Sequence, residues 1–294
     1  MEFKKLTLDD IEKIAPYFSY ATSHACDTTV GGTFIWRDYF NTGYLIENNT
    51  LIFKFGEGEH SSYSYPLGNE KNSAFEIIER DAKENGLPLR FYISSEVDIE
   101  DVKKRYPEAK ITELRDAFDY YYDYEGLATF KGKKYSGQRN HVNKFKRLYE
   151  DRSFEPVTKE NAGEVLSFFN EFLSKREKNE ATEAEAKKIT ELLCNLDLYE
   201  SFGFFGGLLR VNGNVIGFSF AERIGNTMFV HIEKADVSYD GAYQMLVSSF
   251  ASYFAHPDVL YINREDDTGN EGLRKSKLSY QPIALLPKYV VSVY

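Results

Sequence analysis

Residues 227–282 read TMFVHIEKADVSYDGAYQMLVSSFASYFAHPDVLYINREDDTGNEGLRKSKLSYQP, and the order of elements in this stretch decides the fold. The β-branched and aromatic run 227–235 predicts a strand. A short Asp/Ser/Gly loop leads into a helix over about 241–254. It ends near His256-Pro257, because the residue before a proline is driven out of helical backbone. Residues 259–263 form a second strand, and 270–278 a short basic helix. A loop at a helix N-terminus beside a strand edge offers unpaired backbone N–H groups. Such groups suit a diphosphate and the chain attached to it.

Working outward, Val165, Phe168, Phe169, Phe172 and Leu173 form one helical stripe. Ile189, Leu192, Leu193 and Leu196 form another, with Thr182 and Glu185 placed as its capping box. Strands 204–211 and 214–222 are joined through Asn212-Gly213, a strong hairpin signal. Residues 283–294 are a last strand region, interrupted by Pro287. The first half reads alike: a strand at 3–6, a helix capped by Thr7, a second helix over 32–40, and a hairpin over 44–55 around Asn48-Asn49. A helix over 73–84, a strand over 89–93, a helix over 99–106 and a closing strand over 112–124 complete it. Each half is therefore strand, two helices, antiparallel hairpin, helix, strand, helix, strand: a repeat of architecture rather than of sequence.

The chain has 294 residues, 42% of them hydrophobic, enough for two domains of ordinary size. Its net charge of −10 argues against broad binding to nucleic acid or anionic membranes. The cysteines, Cys26 and Cys194, fit reduced core thiols rather than a disulfide framework. No run approaches a membrane span and residues 1–20 carry no leader pattern, so a cytoplasmic protein is expected. Five histidines at 24, 60, 141, 231 and 256 are too scattered for a metal site. His24 and Cys26 stand close together, but no third group orients them for nucleophilic chemistry.

Residues 131–149, KGKKYSGQRNHVNKFKRLY, carry seven Lys/Arg and no Asp/Glu, so +7 stands here against −17 in the rest of the chain. A solvated helix explains such a run. An anionic ligand held between the two halves explains it equally, through Arg139, His141 and Lys144.

Three stretches carry a family resemblance: Gly132-Lys133-Lys134 with Arg139-Asn140-His141 and Asn143-Lys144-Phe145; Asn263-Arg264 with Gly272-Leu273-Arg274-Lys275, Lys277 and Ser279-Tyr280-x-Pro282; and Phe34-x-Trp36-Arg37. Together they look like a bacterial family related to the C-terminal domain of phosphatidylglycerol lysyltransferase, similar to the Fem-type aminoacyltransferases. The resemblance implies an α+β fold of two tandem GCN5-related N-acetyltransferase (GNAT) domains, with mixed, mostly antiparallel sheets flanked by helices. The expected division is 1–128 as a degenerate first domain lining the acceptor side, 129–150 as a basic inter-domain helix, and 151–294 as the domain with the cofactor site. The implied chemistry is transfer of an activated acyl group to an amine or hydroxyl. GNAT enzymes draw it from acyl-CoA, and Fem and lysyltransferase proteins from aminoacyl-tRNA.

On that resemblance the coenzyme A site comprises Val237, Ser238, Tyr239, Asp240, Gly241, Ala242 and Tyr243, of which only Gly241 and Ala242 fit the usual phosphate-loop pattern. Glu233 and Ala235 on the preceding strand and Asn263 on the next would hold the pantetheine arm. Arg274, Lys275 and Lys277 would supply the missing positive charge. Candidate bases are Glu233 and Asp266, with His231 sharing a strand face with Glu233 by the alternation of side chains. Tyr280 is the candidate acid, although GNAT spacing puts Lys277 in the tyrosine slot. Acyl-CoA is the favoured donor, with an amine acceptor and no metal. An aminoacyl-tRNA donor and a non-catalytic CoA- or nucleotide-binding module stay open.

Overall fold

A computed structural model describes residues 2–176 and 180–294. In chain order its strands are β1 (Lys4–Lys5), β2 (Gly43–Glu47), β3 (Thr50–Phe55), β4 (Ser62–Ser64), β5 (Leu67–Gly68), β6 (Leu89–Ile93) and β7 (Lys110–Glu113). They continue as β8 (Asp119–Asp123), β9 (Arg152–Pro156), β10 (Phe204–Val211), β11 (Asn214–Ile224), β12 (Thr227–Ala235), β13 (Tyr261–Asn263), β14 (Ala284–Leu286) and β15 (Tyr289–Val293). The chain divides into two compact units, Met1–Phe118 with Leu286–Tyr294, and Asp119–Leu285.

The first unit is built on a sheet ordered β1-β2-β3-β4-β6-β15-β7, with β5 added to β3. Asn48 and Asn49 both take positive φ (48° and 54°), the backbone a two-residue hairpin needs between β2 and β3. Thr7 caps the first helical segment with Asp10 completing a capping box, as expected. Helices Lys71–Glu84 and Glu96–Arg105 bury Phe75, Ile78 and Val102 against Tyr63, Phe91 and Val291.

The second unit is built on a sheet ordered β14-β8-β13-β12-β11-β10-β9. Its core packs Tyr120, Tyr122, Met228 and Ile262 of the sheet against Leu127 of helix Tyr124–Thr129 and Val247 and Phe250 of helix Ala242–Tyr253. Helix Ser136–Leu148 packs on the same long helix, Phe145 meeting Ala242 and Leu246.

The α+β class holds, and the sheets are mostly antiparallel, with β4/β6 and β12/β13 as parallel pairs. The closing strands differ from expectation. The run 112–124 splits: β7 stays in the first sheet, while β8 joins the second, pairing Tyr261↔Asp123, Ile262↔Tyr122 and Asn263↔Tyr121. Pro287 has no N–H to continue a ladder. Around it the chain leaves β14 in the second sheet and enters the first as β15, between β6 and β7. The boundaries expected at 128 and 151 do not coincide with these units. Thr182, expected to cap a helix, lies inside helix Glu180–Cys194. Cys26 is buried as expected of a core thiol, but Cys194 is exposed.

Candidate functional site

Strands β12 and β13 run parallel for three residue pairs, Thr227↔Tyr261, Met228↔Ile262 and Phe229↔Asn263, and pair no further. On its other edge β12 pairs with β11 through a register shift. Phe220 faces Ile232 and Ala221 faces Val230, which leaves His231 as the extra residue of a β-bulge. The bulge moves every later side chain to the other face. Glu233 therefore lies with Met228 and Val230 around a small void lined also by Leu127, Val247 and Phe250. His231 turns to the opposite face and stacks on Phe204, ring centres 5.5 Å apart. The expectation that His231 and Glu233 share a face fails for this reason.

Where the strands part, ion pairs join them on both faces. Arg264, just past β13, donates through Nη2 to Glu233 Oε1 at 2.6 Å. Its guanidinium lies 4.4 Å over the Tyr280 ring and 5.6 Å over that of Tyr122. Arg264 is 8% exposed, and its Nη1 has no hydrogen-bond partner. On the opposite face His231 bonds Glu222 Oε1 through Nε2 (2.8 Å) and Glu265 Oε1 through Nδ1 (2.7 Å). Burial alone would lower the imidazole pKa, but the two carboxylates outweigh it and raise it to about 10. His231 is thus an imidazolium donating both N–H groups. Glu265 holds a left-handed backbone (φ 55°), fixed by its N–H donating to Asn263 Oδ1 at 2.8 Å.

The remaining expected site residues are largely structural. Asn263 is fully buried and donates to Asp119 Oδ2 (2.8 Å) rather than facing a ligand. Lys277 is buried and donates to the carbonyls of Arg264 (2.5 Å) and Asp266; burial first, and Arg264 second, lower its pKa. Arg274 forks onto Asp267, which also accepts from the Tyr120 hydroxyl at 2.6 Å. Tyr280 is 1% exposed and burial raises its pKa, so it stays protonated under Arg264. Asp266 lies in a turn, its carboxylate accepting from Thr268 N at 3.0 Å and its carbonyl from Lys277. Ala235 is buried and Lys275 exposed. Glu233 and Tyr280 thus meet around Arg264.

Four N–H groups of the loop before helix Ala242–Tyr253 are already engaged within the protein. Ser238 N donates to Asp236 Oδ1, Tyr239 N to Asp236 O, Ala242 N to Tyr239 O, and Asp240 N to the Tyr149 hydroxyl at 3.3 Å. Gly241 (φ 85°) packs so tightly on helix Ser136–Leu148 that a Cβ there would stand 2.5 Å from His141 O. The Asp240 carboxylate pairs with Lys144 at 2.8 Å. Val237 is exposed, and Tyr239 and Tyr243 are half-buried. Arg139 donates through Nη1 to the carbonyls of Phe130 (2.6 Å) and Gly132 (2.9 Å), capping its own turn; His141 is exposed.

Beside this loop lies a cavity of about 520 Å³. Phe168 and Phe172 of helix Ala162–Ser174, Val215 and Ile216 of β11, and Val237 and Tyr239 line it, with Arg176 stacked 4.3 Å over Phe172. Sequence reading missed Arg264, Glu265 and Glu222. The first two stand in the run Asn263-Arg264-Glu265-Asp266, but nothing local reports that β12 is bulged to receive them. Among the described residues no group of His, Cys, Asp and Glu is arranged to hold a metal ion, and no helix is long and apolar enough to cross a membrane.

Residues 18–292 match the family described as phosphatidylglycerol lysyltransferase, C-terminal. The chain belongs to that family. A solved structure of a conserved protein of unknown function from Bacteroides thetaiotaomicron is 34% identical, with TM-score 0.91 over 100% of both chains. The structure of L-PGS from Bacillus licheniformis has TM-score 0.68 at 15% identity, over 100% of this chain and 94% of that one. A tandem GNAT protein from the clavulanic acid biosynthesis pathway shares the fold at TM-score 0.53 and 9% identity, over 99% of this chain and 98% of that one. The chain is also 27% identical over 201 residues to the protein MYCGA3080 of Mycoplasmoides gallisepticum, a match covering 67% of this chain and 62% of that relative. The fold is two tandem GNAT-like domains, and the family supports an acyltransferase-type function.

Proposed function

We propose that this protein transfers an aminoacyl group from tRNA to an amine or hydroxyl of a small acceptor. The observation that carries this choice of donor is the loop at 237–242, with most of its N–H groups engaged and a carboxylate at the helix start. A diphosphate needs open N–H groups and a favourable field. Here four N–H groups are engaged, the glycine is packed against a carbonyl, and a carboxylate stands at the helix start. This weighs against the acyl-CoA donor that the sequence favours. The family description, a lysyltransferase, supports an aminoacyl donor.

In this reading the acceptor atom attacks the ester carbonyl carbon, and the bond from that carbon to the ribose oxygen breaks. The proton lost by the acceptor ends on that oxygen. Glu233, paired to Arg264 at the strand opening, takes the proton first.

The test runs two arms on the purified protein. Calorimetry with CoA and acetyl-CoA is expected to give no binding signal. Release of labelled lysine from lysyl-tRNA into hydroxylamine, used as a minimal acceptor, is expected to be accelerated, and Glu233→Gln to slow it tenfold or more. Micromolar acetyl-CoA binding with no effect on lysyl-tRNA would overturn the reading.

A further inference from the structure

We infer that the outer face of helix Ser136–Leu148 and the turn before it is an RNA-docking surface that leads to the loop at 237–241. The inference rests on the tRNA-donor reading and adds to it where the RNA lies.

The argument starts from charge. Within a chain of net charge −10, residues 131–149 hold seven basic residues and no acidic one. The structure turns this segment outward. Gln138, Val142 and Phe145 make the buried stripe of the helix, and Asn140, Asn143, Lys144 and Arg147 fall on the opposite side by helical periodicity. All four are exposed, as are His141 and Lys146. Lys131, Lys133 and Lys134 of the preceding turn are exposed as well. Arg139 is the exception, since it caps the turn. Asparagines and a histidine between cations add hydrogen bonds to phosphate and sugar oxygens.

The same helix also abuts the candidate site. Its His141 carbonyl packs on Gly241, its Phe145 packs on Ala242, and Lys144 pairs with Asp240 at 2.8 Å. A phosphate backbone tracking Lys133, Lys134 and Arg147 would therefore be carried to the mouth of that loop. A polyanion gathers several of these cations at once, where a single small anion would meet one or two.

Deacylated tRNA is the probe, with filter binding as a function of salt. If four phosphates are contacted, affinity falls about a hundredfold between ~50 and ~200 mM salt. The variant Lys133→Gln/Lys134→Gln/Arg147→Gln, all at exposed positions, is expected to keep the circular dichroism and melting curve of the parent. Its log–log salt slope should be shallower by about 3. An unchanged slope would overturn the inference. So would tighter binding to phosphatidylglycerol vesicles than to tRNA, which would make the face a membrane contact. The donor reading fails separately. If tRNA binds with the expected slope but lysyl-tRNA is not consumed, the surface stands and the donor falls. If the triple variant consumes lysyl-tRNA undiminished, the surface falls and the donor stands.

Discussion

Each unit contains a parallel strand pair, β4/β6 in the first and β12/β13 in the second, and the two pairs are treated differently. In the first unit β4 and β6 pair Tyr63↔Phe91 and Ser64↔Tyr92, and the space beside them is filled with aromatic rings: Phe75, Phe91 and Tyr106 within 5.6–6.2 Å of one another. Its polar link there is the Tyr63 hydroxyl donating to Asp81 Oδ2 at 2.5 Å. In the second unit the strands part, and charged groups occupy the opening: Arg264 with Glu233 on one face, His231 between Glu222 and Glu265 on the other. Buried charge is expensive and a repacked apolar core is not. A protein needing only the fold twice could have filled both openings with rings. The contrast supports the proposal that places the chemistry at the opening of the second unit.

The largest effect should come from leaving one of those charges alone. Arg264→Met strands Glu233, and urea unfolding followed by circular dichroism is expected to show a loss of about 3–5 kcal/mol. Trp36, the one tryptophan, belongs to the first unit, so its fluorescence transition should move less than the ellipticity of the whole chain. Equal shifts in both probes would mean that the units do not unfold separately, and the comparison would break.

His231 comes next. Its folded pKa of about 10 stands above its ordinary 6.5. Its contribution is therefore complete below pH 6.5 and disappears as pH rises toward 10. The parent protein should lose stability over that window by on the order of a few kcal/mol, and His231→Gln should flatten the slope. A parent curve with no fall between those limits would mean a neutral imidazole.

Gly241→Ala forces a side chain into left-handed backbone, 2.5 Å from a carbonyl. A loss of about 1–3 kcal/mol is expected from the thermal midpoint. The smallest change belongs to the aromatic side of the comparison. Tyr63→Phe removes one hydroxyl while Lys54 still holds Asp81 at 2.6 Å, so about 1 kcal/mol should go, read by Trp36 fluorescence.

The sequence made the elements of the second unit legible because their signals are local. Asn212-Gly213 fixes the hairpin of β10 and β11, and the limits of β10 and β12 agree with the reading residue for residue. The candidate site was legible only in outline. The loop at 237–242 was found, but not its occupancy, since Tyr149 and His141 reach it from about a hundred residues earlier. The bulge at His231 leaves no mark in composition: one extra residue in a strand reads as more strand. It reverses the face of Glu233, and with it the expected partnership of His231 and Glu233. Arg274 and Lys277 looked like phosphate ligands because basic residues in a short helix usually face solvent. Here Asp267 and two carbonyls claim them. The exchange of closing strands was also unreadable, because a strand's own residues do not say which of two sheets receives it.

That exchange bears on how the molecule is made. Strand β15, residues 289–293, lies between β6 and β7, so the first unit's sheet has a gap until these residues are synthesised. At about 5–20 residues per second, the chain from 118 onward takes roughly 10–35 s to emerge. Through that interval β6 and β7 each present an unpaired edge to solvent or to a chaperone. Of the two units, the one whose synthesis starts earlier is completed later.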